Sequence, residues 1–186
     1  MMYVPPCQEA APTNSTRTIK PDWTREEVTR FKWDPGRQLI RSIREYQDHK
    51  RQLGFGHGLM RKWSVLKYRF WSVVASSEVP INSHIAGGLC LPHPVGIVIH
   101  PDTRIGANCM ILQQVTIGTN GRDGLVPEIG AHVFIGAGAK LLGGIKVGDH
   151  ARIGANAVVL CDVPEFALAV GIPARIVHDS RCSHDD

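Results

Sequence analysis

"IGAHVFIGAGAKLLGGIKVGDHARIGANAVV", residues 129–159, decides the fold. An aliphatic side chain returns at every sixth position: Ile129, Ile135, Leu141, Val147, Ile153 and Val159. Glycine follows it at 130, 136, 148 and 154. A small residue comes next at Ala131, Ala137 and Ala155, with Asp149 once in that place. Six is neither the 3.6-residue helical period nor the two-residue alternation of an isolated strand. It is the period of a parallel β-helix made of hexapeptides, in which six residues form one short strand and one corner, and three such units form a triangular coil. The aliphatic residue points into a narrow prism. The corners take Gly, Ala or Asn because the backbone turns sharply there.

Upstream, the same series runs through Ile105, Ile111 and Ile117. After a two-residue slip, read here between Ile97 and Ile105, it continues at Ile85, Leu91 and Ile97. The period breaks at that slip, just after His93, and again at "TNGRDGLVPE", residues 119–128, a polar and Gly-rich stretch. Loops thrown out of a solenoid are frequent carriers of function.

The remainder reads differently. Residues 1–20 are rich in Pro, Ser and Thr and read as a disordered tail. Residues 21–77 read as a helical region, 78–177 as the β-helix, and 178–186 as a flexible tail. "WTREEVTRF" offers a short helix. Asp34 is a candidate N-cap with Pro35 at the first helical position, and Leu39, Ile40, Ile43 and Tyr46 follow on one face. "GFGHG", 54–58, breaks that helix. In the next one Trp63, Leu66, Phe70 and Val73 share a side. The fold class expected is mainly β: a parallel β-helix of hexapeptide repeats preceded by a small α-helical region.

Composition narrows the function classes. With 43% hydrophobic and 20% charged residues the chain suits a soluble globular protein. Residues 1–75 carry 14 Lys/Arg against 7 Asp/Glu, and 76–186 carry 7 against 10. In the basic 37–51 stretch Arg alternates with Glu and Asp, which reads as a solvated face over an inward apolar stripe, and no nucleic-acid motif accompanies it. Cys7, Cys90, Cys109, Cys161 and Cys182 form no CxxC pair, so neither a zinc site nor a disulfide framework is expected. No apolar run is long enough for an integral membrane segment and no signal peptide is visible, so a cytoplasmic location is expected.

"LPHPVGIVIHP", "IGANCMILQQVTIG" and "IGAGAKLLGGIKVGDHARIGANAVVLCDVPEFALAVGIPARIV" together resemble the serine acetyltransferases and close relatives among the hexapeptide acyltransferases. The resemblance covers about residues 69–177. It implies a left-handed parallel β-helix, a homotrimer, and acetyl-CoA as co-substrate in clefts between subunits. It also implies that His93, in "LPHPVGIV", is the catalytic base. Glu78, fifteen positions upstream, is implied as the acidic residue that orients it. The imidazole takes the acceptor hydroxyl proton while the oxygen attacks the thioester, and the carboxylate fixes the tautomer. Gly118, Thr119, Ala137 and Ala155 are the implied coenzyme contacts, with Arg152 near the phosphates.

Where serine-specific members hold the substrate's ammonium and carboxylate with Asp, Arg and His, this chain has Pro92, Leu125 and Val126. Those departures favour a sugar hydroxyl as acceptor, with Arg122 or Asp123 as possible substitutes in the loop. The overall resemblance favours L-serine. A non-catalytic scaffold is the third reading, opposed by the intact His93 segment. His84, His132 and His150 lie on coil positions, but no two histidines stand five apart as in the zinc-binding β-helical carbonic anhydrases, so no metal is expected.

Overall fold

The computed structural model describes residues 19–29, 33–52 and 55–177. Residues 1–18 of the tail expected at 1–20, and the whole tail expected at 178–186, lie outside the described residues.

Three parallel sheets wrap one core. The first holds β2 (Val98–Ile99), β5 (Thr116–Gly118), β8 (Lys140–Leu142) and β11 (Val158–Val159). The second holds β1 (His84–Ile85), β3 (Arg104–Ile105), β6 (Glu128–Ile129) and β9 (Lys146–Val147). The third holds β4 (Met110–Ile111), β7 (Phe134–Ile135), β10 (Arg152–Ile153) and β12 (Leu168–Gly171). It ends with the antiparallel β13 (Ala174–Val177). Register stacks the aliphatics in columns: Ile99, Ile117, Leu141 and Val159 on the first face; Ile85, Ile105, Ile129 and Val147 on the second. Ile111, Ile135 and Ile153 line the third. All are buried. Each contributes roughly 1.5–3 kcal/mol of transfer free energy, so the six-residue spacing is the fold's main organising term.

The columns relocate the slip. Ile99, not Ile97, pairs with Ile117, and Ile105 follows Ile99 by the regular six residues. The two extra residues therefore fall between Leu91 and Ile99, at His93 itself rather than after it. Ile97 and Ile99 are both buried, so the apolar pattern alone could not choose between them. The second break is confirmed as an insertion, since Ile117 and Ile129 are consecutive columns twelve residues apart.

Two corners carry ladders of left-handed backbone. Along one stand Ser76, Gly96, Gln114, Gly138 and Asn156; along another, Gly88, Asn108, His132, His150 and Phe166, all with positive φ. The short side-chain amides suit this conformation, but histidine, glutamine and phenylalanine hold it too, a wider set than the Gly, Ala and Asn expected at corners.

The helical region caps the first coil. Helix α1 (Pro35–Arg51) starts as expected: the Asp34 carboxylate accepts from the Arg37 amide at 3.1 Å, and Leu39, Ile40 and Ile43 are buried. Gly36 is needed where α1 meets the solenoid, because a Cβ there would run into the Leu91 carbonyl. Helix α2 (Phe55–Ala75) begins inside the "GFGHG" stretch, so the break is shorter than expected. "WTREEVTRF" supplies one 3₁₀ turn, Trp23–Glu26, instead of a helix. Its residues serve the coil: the buried Glu26 carboxylate accepts from the Gly88 and Leu89 amides at 2.7 and 3.1 Å and pairs with Arg44. Arg44 in turn donates to the Ile85 and Ala86 carbonyls. Those long-range bonds replace the local ones that would have extended the turn.

Cys109 is buried, and burial pushes its thiol up to about 12. Cys161 is disulfide-bonded, a single cross-link rather than a framework. Cys90 and Cys109 are free.

Candidate active site

The two-residue insertion makes the chain bulge outward at Pro92–Gly96, with Pro on both sides of an exposed His93. The bulge is clamped from both flanks. Ser77, itself buried, donates its hydroxyl to the Pro94 carbonyl, and the Gly96 amide donates to the Ser76 carbonyl at 2.8 Å. From the next coil the Gln114 amide donates to the Val95 carbonyl at 2.8 Å. Ser72 extends the clamp, giving its hydroxyl to the Ser77 carbonyl at 2.6 Å. Prolines flanking the histidine restrict its backbone further. The serines were not singled out from sequence; "SSEV" carries no spacing signal, and only the coil register brings Ser77 to Pro94.

Glu78 lies on the coil beside the bulge. Its amide donates to the Ile97 carbonyl at 2.8 Å and its carbonyl accepts from the Ile99 amide at 2.9 Å. Its exposed side chain lines a hollow of about 300 Å³ with Ser72, Val73, Ser76, Ser77 and Val98. The phenol of Tyr68 donates to the Val79 carbonyl at 3.0 Å, and its pKa is raised by burial and, secondarily, by the Glu78 charge. No hydrogen bond joins Glu78 to His93 among the described residues. The structure brings their segments together, not their side chains.

The remaining expected residues divide between two edges of the prism. Ala137 and Ala155 occupy matching places on successive coils, below the His93 bulge. One run of backbone bonds links this edge: Gln114 N to Val95 O, Gly138 N to Gln113 O at 2.9 Å, and Asn156 N to Ala137 O at 2.8 Å. Arg152 projects exposed from β10, its guanidinium 5.8 Å from the Phe134 ring centroid. Gly118, which ends β5, and Thr119 lie on a different edge. A Cβ at Gly118 would meet nothing closer than His100 Cβ at 3.9 Å, an ordinary contact. At Gly136 the same atom would strike backbone of the next coil. Gly118 is therefore not held as glycine by close packing, although it is buried and its carbonyl accepts from the Gly143 amide at 2.9 Å.

The inserted loop stands on that second edge. Asn120 Oδ1 accepts from the Arg122 amide at 2.9 Å, its amide group donates to Asp123 Oδ2 at 3.2 Å, and Asp123 Oδ1 accepts from the Leu125 amide at 3.0 Å. These bonds, led by the Leu125 amide, lower the Asp123 pKa. Asp123 is thus spent on the loop's own shape. The Arg122 side chain is exposed and has no hydrogen-bond partner among the described residues.

Similarity to known proteins shows the family and the fold. Residues 127–161 match the family model described as bacterial transferase hexapeptide, six repeats. The chain is 37% identical over 164 residues to a serine acetyltransferase of Helicobacter pylori, covering 84% of this chain and 92% of that one. The chain belongs to the serine acetyltransferase family. It is 42% identical to the Haemophilus influenzae serine acetyltransferase over 60% of this chain, but spans only 43% of that longer relative. A solved serine acetyltransferase in complex with CoA is 36% identical, with a TM-score of 0.64 over 78% of this chain and 58% of that one. A soybean serine acetyltransferase complexed with serine is 34% identical, with a TM-score of 0.65 over 77% and 57%. The coils described above are thus the left-handed β-helix of this family.

Proposed function

We propose that the chain is an acetyl-CoA-dependent O-acetyltransferase acting on L-serine, with His93 as general base. The observation that carries the chemistry is the His93 bulge, the one place where the solenoid inserts residues to present an imidazole and then clamps it from two coils. His93 accepts the serine hydroxyl proton as the oxygen attacks the thioester carbonyl. The tetrahedral intermediate collapses, the C–S bond breaks, and the imidazolium returns the proton to the departing CoA thiolate. Glu78 orients the imidazole in the assembled site.

Gly118 and Thr119 stand on one edge, and His93, Ala137 and Ala155 on another, so one copy carries two half-sites. A homotrimer joins one edge of each copy to the other edge of its neighbour. The pantetheine arm lies against the small residues, and Arg152 answers the phosphates.

Serine replaces the sugar expected from Pro92, Leu125 and Val126. Similarity to the Helicobacter pylori serine acetyltransferase over nearly its whole length supports serine, as does the likeness to a soybean enzyme complexed with serine. Arg122 takes the substrate carboxylate. A sugar acceptor is the second reading, favoured by those three apolar residues where a zwitterion needs charge. Thiol release from acetyl-CoA with L-serine, against a panel of simple and nucleotide-linked sugars, separates the two. Arg122→Ala raises the KM for serine about 10–100-fold if the guanidinium holds the carboxylate, the value of one charge-assisted bond. Release with sugars alone overturns the serine reading.

A further inference from the structure

A hollow of about 940 Å³, the size of a small-molecule site, opens between α1 and the start of the solenoid. It ends at Gly87, next to Gly88, where the left-handed ladder of the prism's third edge begins. The two edges that carry the expected acetyltransferase residues lie elsewhere. The floor of the hollow is fixed. Arg44 donates to both Glu26 oxygens, at 3.1 and 3.0 Å, and to the Ile85 and Ala86 carbonyls at 2.7 Å each. Gln47 donates to the Ile81 and Ser83 carbonyls at 3.2 Å each. Side chains of α1 thus stand in for a coil above β1.

The hollow is cationic. Arg41, Arg44, Lys50 and Arg51 line it against Glu26 and Asp48. Arg44 neutralises Glu26, and Arg41 shares Glu45 with Lys67. Lys50 meets the neutral Asn82 Oδ1 at 3.2 Å, and Arg51 has no hydrogen bond or ion pair among the described residues. The C-terminus of α1 offsets about half a unit of charge, which leaves the hollow positive. Its wall also holds an unmatched group. Ser83 is 5% exposed, and its hydroxyl has no hydrogen-bond partner. Buried hydroxyls are nearly always bonded, so an acceptor in the hollow would complete this one.

We propose that the hollow binds a nucleoside diphosphate, at a site separate from acetyl transfer. The phosphates lie at Lys50, Arg51 and the Ser83 hydroxyl, and the base lies against Trp23. The half-exposed Trp23 indole lines the hollow. It is seated by the Arg44 guanidinium, 5.6 Å from its ring, and by Gly87, where a Cβ would strike the ring. Arg44 and Arg51 stand seven residues apart, about 10 Å along α1, the span of a ribose carrying two phosphates. A bare anion needs the cations alone; the indole favours a ligand with a planar ring. Asp48, among the cations, opposes the phosphates.

Isothermal titration of the full chain with UDP tests this, with CoA present at saturation to fill the coenzyme site. One UDP per chain is expected. Lys50→Ala/Arg51→Ala, at two exposed positions, weakens binding at least about tenfold, and Asp48→Asn tightens it about two- to fivefold. Ser83→Ala weakens UDP binding yet raises the melting temperature of the free chain, because it deletes a buried hydroxyl that lacks a partner. Pyrophosphate binds more weakly than UDP, and Trp23→Leu erases that difference. Absence of UDP binding at millimolar concentration overturns the proposal. So does binding that the Lys50/Arg51 double variant leaves unchanged, which would put the nucleotide elsewhere. Pyrophosphate bound as tightly as UDP overturns the nucleoside assignment.

Discussion

The Ser77 hydroxyl donates to the Pro94 carbonyl, seventeen residues away in sequence and on the next coil, one position past His93. It also reaches the Ala75 carbonyl at 3.1 Å, in the last turn of α2. One buried side chain therefore ties the helical region to the loop that presents the imidazole. Ser77→Ala removes the tie without touching the reacting atoms. Turnover is expected to fall about tenfold, the cost of one buried hydrogen bond felt as misplacement, while CoA affinity stays within error. Steady-state kinetics with equilibrium binding of CoA checks the split. Equal losses in both would make Ser77 a general stability residue.

His132 and His150 stack with centroids 4.7 Å apart, and Phe166 continues the stack at 4.8 Å. Asn108 lies 3.2 Å from His132 and also accepts from the Asp22 amide at 2.7 Å, which joins this corner to the segment before α1. Burial first, then His150 and Arg25, lower the His132 pKa; Asp149 opposes them. A lowered imidazole pKa means the unfolded chain binds the proton more readily. Stability is then fully present above the ordinary imidazole value and is lost as pH falls through the lower folded value. Urea midpoints are expected to drop between about pH 7 and pH 5, and His132→Asn should flatten that slope. An unchanged slope would remove His132 from the account.

Gly36 shows where α1 touches the first coil. Gly36→Ala drives a methyl group against the Leu91 carbonyl, backbone that cannot step aside. A loss of about 1–3 kcal/mol in a denaturant titration is expected, against the small gain that Ala ordinarily gives a helix. A stabilised variant would mean that α1 does not seat on Leu91.

Cys109 should be inert. It is fully buried, and its thiol is pushed up to about 12. A thiol reagent at neutral pH is expected to label it only after unfolding, because the thiolate is the nucleophile. Mass spectrometry of the native, labelled chain checks this; rapid labelling would show that the coil opens there.

The hexapeptide columns were legible because one large aliphatic per face is a requirement the sequence must repeat. Where two aliphatics compete, as at Ile97 and Ile99, burial satisfies both and only hydrogen-bond register decides. The Glu26–Arg44 pair and the Ser77 clamp were invisible, since each links residues whose separation follows from the fold. The shared side of Trp63, Leu66, Phe70 and Val73 was read correctly, but periodicity does not say whether a stripe faces a core or the outside. His93 was singled out through its motif. Its surroundings became legible only once the two extra residues were seen to lie at His93.

The most direct measurement is CoA-thiol release from acetyl-CoA and L-serine by the wild type and by His93→Ala. The account predicts serine-dependent release by the wild type and a loss of roughly 10²–10⁴-fold in the variant, with CoA still bound. Serine-dependent release that survives in His93→Ala would contradict it, and the solenoid's outward bulge would then need another purpose.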